Sequence, residues 1–459
     1  MNVNAEIVRR LAAPVAAVTL TLGLAGAAMA APAAAAAAAP ASASDAASSA
    51  AEARTARSAA TAAVEQAEEE VVRAFRVGKV VTMDDEDRVI NNAVVVTRGR
   101  LIAAVGRASE VEIPDEAEVI EMPDAWLVPG LVEGHNHTAA SSGDLHDYVY
   151  LTNPGLRTLD SVDPQAGRER AHAGGVTTAL LIPGSGTNMS GFGTLVKFHG
   201  DTVEESVLKF PASIKIAQAG NPERYWWRVG RTFMNYNTRR TMVQALEYHR
   251  AWTEFENGRR ETAPPYNPMY HDFRALYERE YVASVHTQAF QVVMTTIDML
   301  ADQLEIRTVL SHSTFDGFKT APLILEQGED NVMTNNGPRQ FHFDRAERRM
   351  WGNAARWWQG GVRKLAINTD GPVIPQEELS YQAAMAVWYG WTPYEALRGV
   401  TATPAETLMV DDKVGSIAVG MHADFGLWAG DPIDPRSTCW MTVINGDIVR
   451  DARDGVRRF

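Results

Sequence analysis

From His135 to Glu406, short apolar runs alternate with longer stretches of helical character, and this alternation constrains the fold more than any other feature of the chain. The runs are residues 176–182, 194–198, 213–217, 282–286, 308–310 and 364–367, and the clearest helical stretches between them are 242–256 and 287–303. Strands separated by helices imply βαβ units and a parallel sheet, because a parallel pair needs a long crossover. The segment is roughly 270 residues long, close to the about 250 of a (β/α)8 TIM-like barrel. Either side of it reads differently. Residues 71–127 carry β-branched runs broken by Arg98-Gly99-Arg100, and the last fifty residues follow the same style, with Asn445-Gly446 as a hairpin turn. Two strand-rich ends around an alternating middle predict a small β-sandwich domain formed from both ends of the mature chain.

Arg9-Arg10, an apolar stretch over 11–25 and Ala28-Met29-Ala30 are the three regions of a secretory signal peptide. Residues 31–70, mostly Ala, Ser, Pro and Thr, have little to bury and read as a disordered linker. The expected organisation is therefore signal peptide 1–30, linker 31–70, first part of the sandwich 71–128, barrel 129–410 and second part of the sandwich 411–459. An exported protein, periplasmic or secreted, follows. The N-terminal apolar run falls short of the ~20 residues a membrane span needs, so no integral membrane domain is expected. A net charge of −14, from 43 Lys+Arg against 57 Asp+Glu, argues against a nucleic-acid partner, which calls for a basic face. The single cysteine, Cys439, excludes a disulfide framework and a cysteine-rich zinc site. Any metal must be held by histidine, carboxylate or lysine groups.

The strongest local signal is Val128-Pro129-Gly130-Leu131-Val132-Glu133-Gly134-His135-Asn136-His137. On a strand, residues i and i+2 face the same way, so His135 and His137 present both imidazoles to one side of the barrel mouth. Alone, two such histidines are often no more than hydrogen-bonded polar groups. Further along, His286 ends one apolar run, His312 follows another and Asp370 follows a third. Histidines and one carboxylate from different strand ends form the N/O ligand set of zinc or another borderline divalent ion. The C-terminal ends of barrel strands are where chemistry belongs.

These residues, with Gly174-Gly175-Val176-Thr177-Thr178, Thr369-Asp370-Gly371-Pro372, Thr403-Pro404-Ala405 and Ala423-Asp424-Phe425, resemble the amidohydrolase superfamily, in its imidazolonepropionase-like and Xaa-Pro dipeptidase-like branch. The similarity covers about residues 71–455. It implies a hydrolase of a non-ester C–N bond in an amide, cyclic amide or dipeptide-like substrate, with one or two divalent metal ions, zinc first among them. By position, His135, His137 and Asp370 would hold one ion and His286 and His312 a second. A carboxylated lysine bridges the ions in many relatives; Lys215, inside Ile214-Lys215-Ile216, is the match, with Lys197 as its rival on the preceding strand. Asp370 would be the proton acceptor and donor, and His312 an alternative stabiliser of the oxyanion. Arg224 is the candidate for receiving a substrate carboxylate, weighed against ordinary surface charge. Relatives often place an acid before the Asn-Pro that follows the fourth strand; here Gly220 precedes Asn221-Pro222, which leaves the number of ions open. The same site would serve deamination of a heterocycle, and a broken site would suit an exported binding protein. Homo-oligomerisation is left open.

Other motifs fail. The residues 184–189 begin like a dinucleotide fingerprint, but Met189 stands where its third glycine belongs, and Ser185 lacks the glycine of a nucleophile elbow. Residues 184–193 read as a flexible glycine-rich barrel loop. The aromatics Tyr225, Trp226, Trp227, Trp351, Trp357 and Trp358 read mainly as packing around the barrel.

Overall fold

The computed structural model describes residues 70–453 apart from 147–148, 219 and 225–227. The signal-peptide and linker readings, and Tyr225-Trp226-Trp227, lie outside the described residues. Strands β1 (Val72–Val81), β2 (Val89–Arg98), β3 (Leu101–Arg107) and β4 (Glu118–Pro129) join β15 (Phe425–Trp428), β16 (Cys439–Ile444) and β17 (Asp447–Asp451) in one seven-stranded sheet, ordered β17-β16-β15-β4-β1-β2-β3. Both ends of the chain thus feed the additional sheet. Its core is Phe75, Val77, Ile120, Leu127, Phe425, Leu427, Met441 and Val443. The Phe75 and Phe425 rings meet edge to face, with centroids 5.0 Å apart. The β16–β17 turn places Asn445 and Gly446 at φ 52° and 80°, the left-handed pair that a tight hairpin requires. A Cβ on Gly446 would lie 2.0 Å from the Gly99 carbonyl oxygen, so glycine is needed there twice over.

The barrel sheet runs β14-β11-β10-β9-β8-β7-β6-β5. Its strands are β5 (Leu131–Asn136), β6 (Val176–Leu181), β7 (Met189–Lys197), β8 (Val207–Ala217), β9 (Val282–Thr287), β10 (Thr308–His312), β11 (Val332–Asn336) and β14 (Leu365–Ile367). Every residue of β5, β6, β7, β9, β10, β11 and β14 is buried. Strands covered on both faces carry continuous apolar or small-polar runs, which is why most of them stood out in the sequence. Helices such as Arg231–Glu256 and Asn353–Gln359 pack outside them, the second supplying the fully buried Trp357. A hairpin of β12 (Phe341–Asp344) and β13 (Arg349–Gly352) follows β11. Among the described residues, no helix is long and apolar enough to cross a membrane.

Three expectations need correction. The eight strands are not all parallel: β7 pairs antiparallel with both β6 and β8. The links on either side of β7 hold at most a helix of one turn, Val203–Ser206, too little for a crossover, so the chain must turn back on itself. Residues 184–193 are also not a loop throughout, since β7 starts at Met189 and is buried from its first residue. Finally, the helix read over 287–303 begins at Phe290 and ends in π-helical geometry over Ile297–Asp302. The reversal of β7 puts the two lysines in different surroundings. Lys197 ends a strand that points away from the barrel mouth, where its Nζ meets Asp424 at 2.7 Å. Lys215 lies near the end of β8, which runs parallel to β9.

Candidate active site

Strand direction brings the chemistry to one end. His135 and Asn136 finish β5, His286 is the penultimate residue of β9, His312 ends β10, and Asp370 comes three residues after β14. Register aligns the neighbours: Ala217 opposes His286, and His286 opposes Ser311. His312 and Asp370 both have left-handed backbone, at φ 72° and 54°, as does Ser313 at 47°. Non-glycine residues persist in that region only where surrounding structure holds them, and such residues concentrate at functional sites.

The structure brings His135, His137 and Asp370 together, each offering one donor atom within 4.8 Å of the other two. Asp370 Oδ1 lies 3.5 Å from His135 Nε2 and 3.3 Å from His137 Nε2. The His137 Nδ1 is 2.6 Å from the Ile182 carbonyl oxygen, which can only accept. That contact places a proton on Nδ1, so in the neutral ring the Nε2 lone pair faces the Asp370 carboxylate. Two lone pairs aimed at one point repel each other unless a cation lies between them. His286 and His312 stand beside this trio. The His312 ring is 4.6 Å from that of His135 and 4.5 Å from that of His286, centroid to centroid. His135 Nδ1, His286 Nε2 and both His312 nitrogens are buried without a hydrogen-bond partner. Buried polar atoms are ordinarily paired, so four such imidazole nitrogens around one cluster fit a divalent-ion site.

Lys215 is fully buried, with Nζ 2.8 Å from His135 Nε2. Burial lowers its ammonium to about 7, the nearby Asp370 charge opposing the fall, so a neutral amine is available near neutral pH. Burial also holds His135 and His286 well below the usual imidazole range and brings His312 down to about 4, with neighbouring positive groups adding to the fall. These rings are neutral, the form in which imidazole coordinates metal. For Asp370, burial pushes upward, but His312, His137 and Lys215 outweigh it and keep the carboxylate ionised.

Gly220 occupies the place where an acid was looked for. A Cβ built there would meet His286 Nε2 at 3.6 Å, so the departure directly faces a candidate ligand. The Arg224 side chain lies outside the described residues; its neighbour Arg231 pairs with Glu223 at 3.1 Å. Three residues escaped the sequence reading. Ser185 Oγ is 3.2 Å from His286 Nδ1, turning the other nitrogen of that ring towards the cluster. The His146 ring centroid is 5.8 Å from that of His137. Glu133 is fully buried and bonded to the backbone at His135 and Thr369. Strand alternation puts Glu133 on the His135 face and could have flagged it; nothing in the local pattern marks Ser185 or His146. Burial pushes the Glu133 carboxyl up to about 8, with three hydrogen bonds acting in the opposite sense.

Comparison with known proteins agrees with this geometry. The model of the Amidohydrolase family matches residues 303–458. An amidohydrolase, tasK, of Hapsidospora irregularis is 23% identical over 376 residues, covering 74% of this chain, which spans 38% of that longer protein. The imidazolonepropionase of Pseudomonas syringae pv. tomato is 25% identical over 394 residues, covering 76% of this chain and 93% of its own. Among solved structures, an amidohydrolase from Thermotoga maritima superposes with a TM-score of 0.72 at 25% identity, covering 82% of this chain and 99% of that one. A Xaa-Pro dipeptidase with bound methionine shares the fold at a TM-score of 0.50 and 14% identity, over 83% of this chain and all of its own. Over residues 303–458 the chain matches the amidohydrolase family, and with these relatives it is similar to that family and reads as a hydrolase acting on carbon–nitrogen bonds.

Proposed function

We propose that this protein is an exported, divalent-metal-dependent amidohydrolase, with zinc the favoured ion, that cleaves an amide, cyclic amide or dipeptide-like C–N bond with water. The observation that carries the reading is the convergence of His135, His137 and Asp370 donor atoms within 4.8 Å at the barrel mouth. A divalent ion there would polarise the scissile carbonyl and lower the pKa of a water to around 7. His135 and His137, the second oriented by the Ile182 carbonyl, would hold it together with Asp370. His286 and His312, and Lys215 in carboxylated form, would complete a second position if two ions are bound.

The rest of the chemistry belongs to the side chains. Asp370, ionised and 3.3 Å from His137, accepts the proton of the attacking water and returns it to the departing nitrogen as the C–N bond breaks. With a single ion bound, His312, whose ring nitrogens have no hydrogen-bond partner, would instead be free to donate its N–H to the oxyanion of the tetrahedral intermediate. The Ser185 contact fixes His286 for the same cluster. Export rests on the leader-like residues 1–30, and a small or peptide-like substrate on what the relatives are named for. The test is turnover of an amide, lactam and dipeptide panel by the mature chain and its Asp370→Ala variant. Loss of measurable turnover with an unchanged circular dichroism spectrum is expected. An Asp370→Ala enzyme of near-native rate would overturn the assignment.

A further inference from the structure

The barrel sheet has a seam. Its order begins at β14 and ends at β5, and these two strands share no ladder. Low in the barrel both turn to a third segment, with Val132 N donating to the Val400 carbonyl at 2.9 Å and Ile367 N to that of Gly399 at 2.8 Å. At the mouth they meet once, where His137 N donates to the Gly371 carbonyl at 2.8 Å. Between these levels lies the problem. Two ligands of the proposed metal trio come from the end of β5 and the third from beyond β14, so the site sits over an unpaired stretch of the seam that a single bridge, Asn136 with Gly371, closes above.

Glu133 fills that gap. Its Oε1 accepts from His135 N at 3.0 Å, and its Oε2 accepts from Thr369 N at 2.8 Å and Thr369 Oγ1 at 2.6 Å. The residue is 0% exposed. The carboxyl group thus takes the place of the missing strand carbonyls for two buried amides, one beside each half of the ligand set, which would otherwise have no acceptor. We infer that Glu133 is a positioning residue that clasps β5 to Thr369 across the open seam and thereby fixes the distance between His135/His137 and Asp370. Its two oxygens are taken up by His135 and Thr369. Groups that orient metal ligands in this way typically contribute 10–100-fold in metal affinity.

The inference rests on the metal reading for its effect on affinity, but the clasp itself has its own readout. Cobalt(II) titration followed by visible absorption, with hydrogen exchange on the same proteins, separates the two. Relative to wild type, Glu133→Ala is expected to bind Co2+ about 10–100-fold more weakly with an altered absorption band. The Thr369 and His135 amides should exchange faster, while β9 and β10 are unaffected. Glu133→Gln, which keeps the volume but sets an NH2 group against one of the two amides, should fall between, and Thr369→Val, losing one bond, should be mildest. If either Glu133 variant shows native exchange at Thr369, or native cobalt affinity and spectrum, the clasp is wrong. Should the wild type bind no Co2+, the metal reading fails, and exchange at Thr369 alone decides the clasp.

Discussion

The Lys197–Asp424 pair joins the barrel strand β7 to the additional sheet and gives a sharp energetic test. Both side chains are nearly inaccessible, at 3% and 2%, with Nζ 2.7 Å from Oδ2. His422 Nδ1 at 2.7 Å and Asn445 Oδ1 at 2.5 Å complete the shell of Lys197, while Asn445 N donates to Asp424 Oδ1 at 2.7 Å. Burial lowers the Lys197 pKa below that of a free lysine even though Asp424 opposes the shift. The folded state therefore holds this proton less tightly than the unfolded chain, and the group's contribution to stability rises as pH climbs towards 10.5, the ordinary lysine value. Desolvation outweighs attraction, so the pair as a whole stabilises little. Removing one partner is a different matter, because Lys197→Met strands a buried carboxylate, at a cost of about 3–5 kcal/mol. Adding Asp424→Asn removes that charge and keeps an acceptor for the Asn445 amide, so the double variant should recover most of the loss. Urea unfolding of the four proteins as a double-mutant cycle reads both numbers. A Lys197→Met protein within about 1 kcal/mol of wild type, or a double variant no better than the single, would refute the reasoning.

Two further outcomes follow from neighbouring contacts. Burial, with the Lys197 charge next, brings His422 from 6.5 to about 4, so the unfolded chain takes up a proton that the folded protein refuses between those values. Stability held above pH 6.5 should fall as pH drops towards 4, and His422→Gln should flatten that slope in urea midpoints measured across the window. A Cβ on Gly184 would lie 1.8 Å from His146 Nδ1, so Gly184→Ala must displace the ring that stands beside His137. Its turnover should fall at least about tenfold with small loss of stability, and an unchanged rate would show that His146 has no part in the site.

What was legible in the sequence follows from what strand physics writes into residues. Burial on both faces leaves apolar runs, and period-two alternation puts His135 and His137 on one face, so the barrel and its ligand-bearing strand ends could be read directly. Direction leaves no such mark. The reversed β7 has the same buried composition as its parallel neighbours, and only the length of its connections reveals it. Strand β11 (Val332–Asn336) escaped because Thr334, Asn335 and Asn336, buried and polar, do not look like strand residues. Ser185 and His146 reach the site through loop conformation, which depends on contacts distant in the chain. Glu133 was visible as an acid on an apolar strand, but its purpose depends on Thr369, more than two hundred residues away.

The most direct test of the account is the number of divalent ions per chain in the mature protein, measured by elemental analysis alongside His137→Ala. At least one ion per chain in the wild type, and its loss in the variant, is the predicted result. A wild-type chain that carries no ion after zinc is supplied during refolding, yet hydrolyses an amide, would contradict the claim that His135, His137 and Asp370 work as a metal centre.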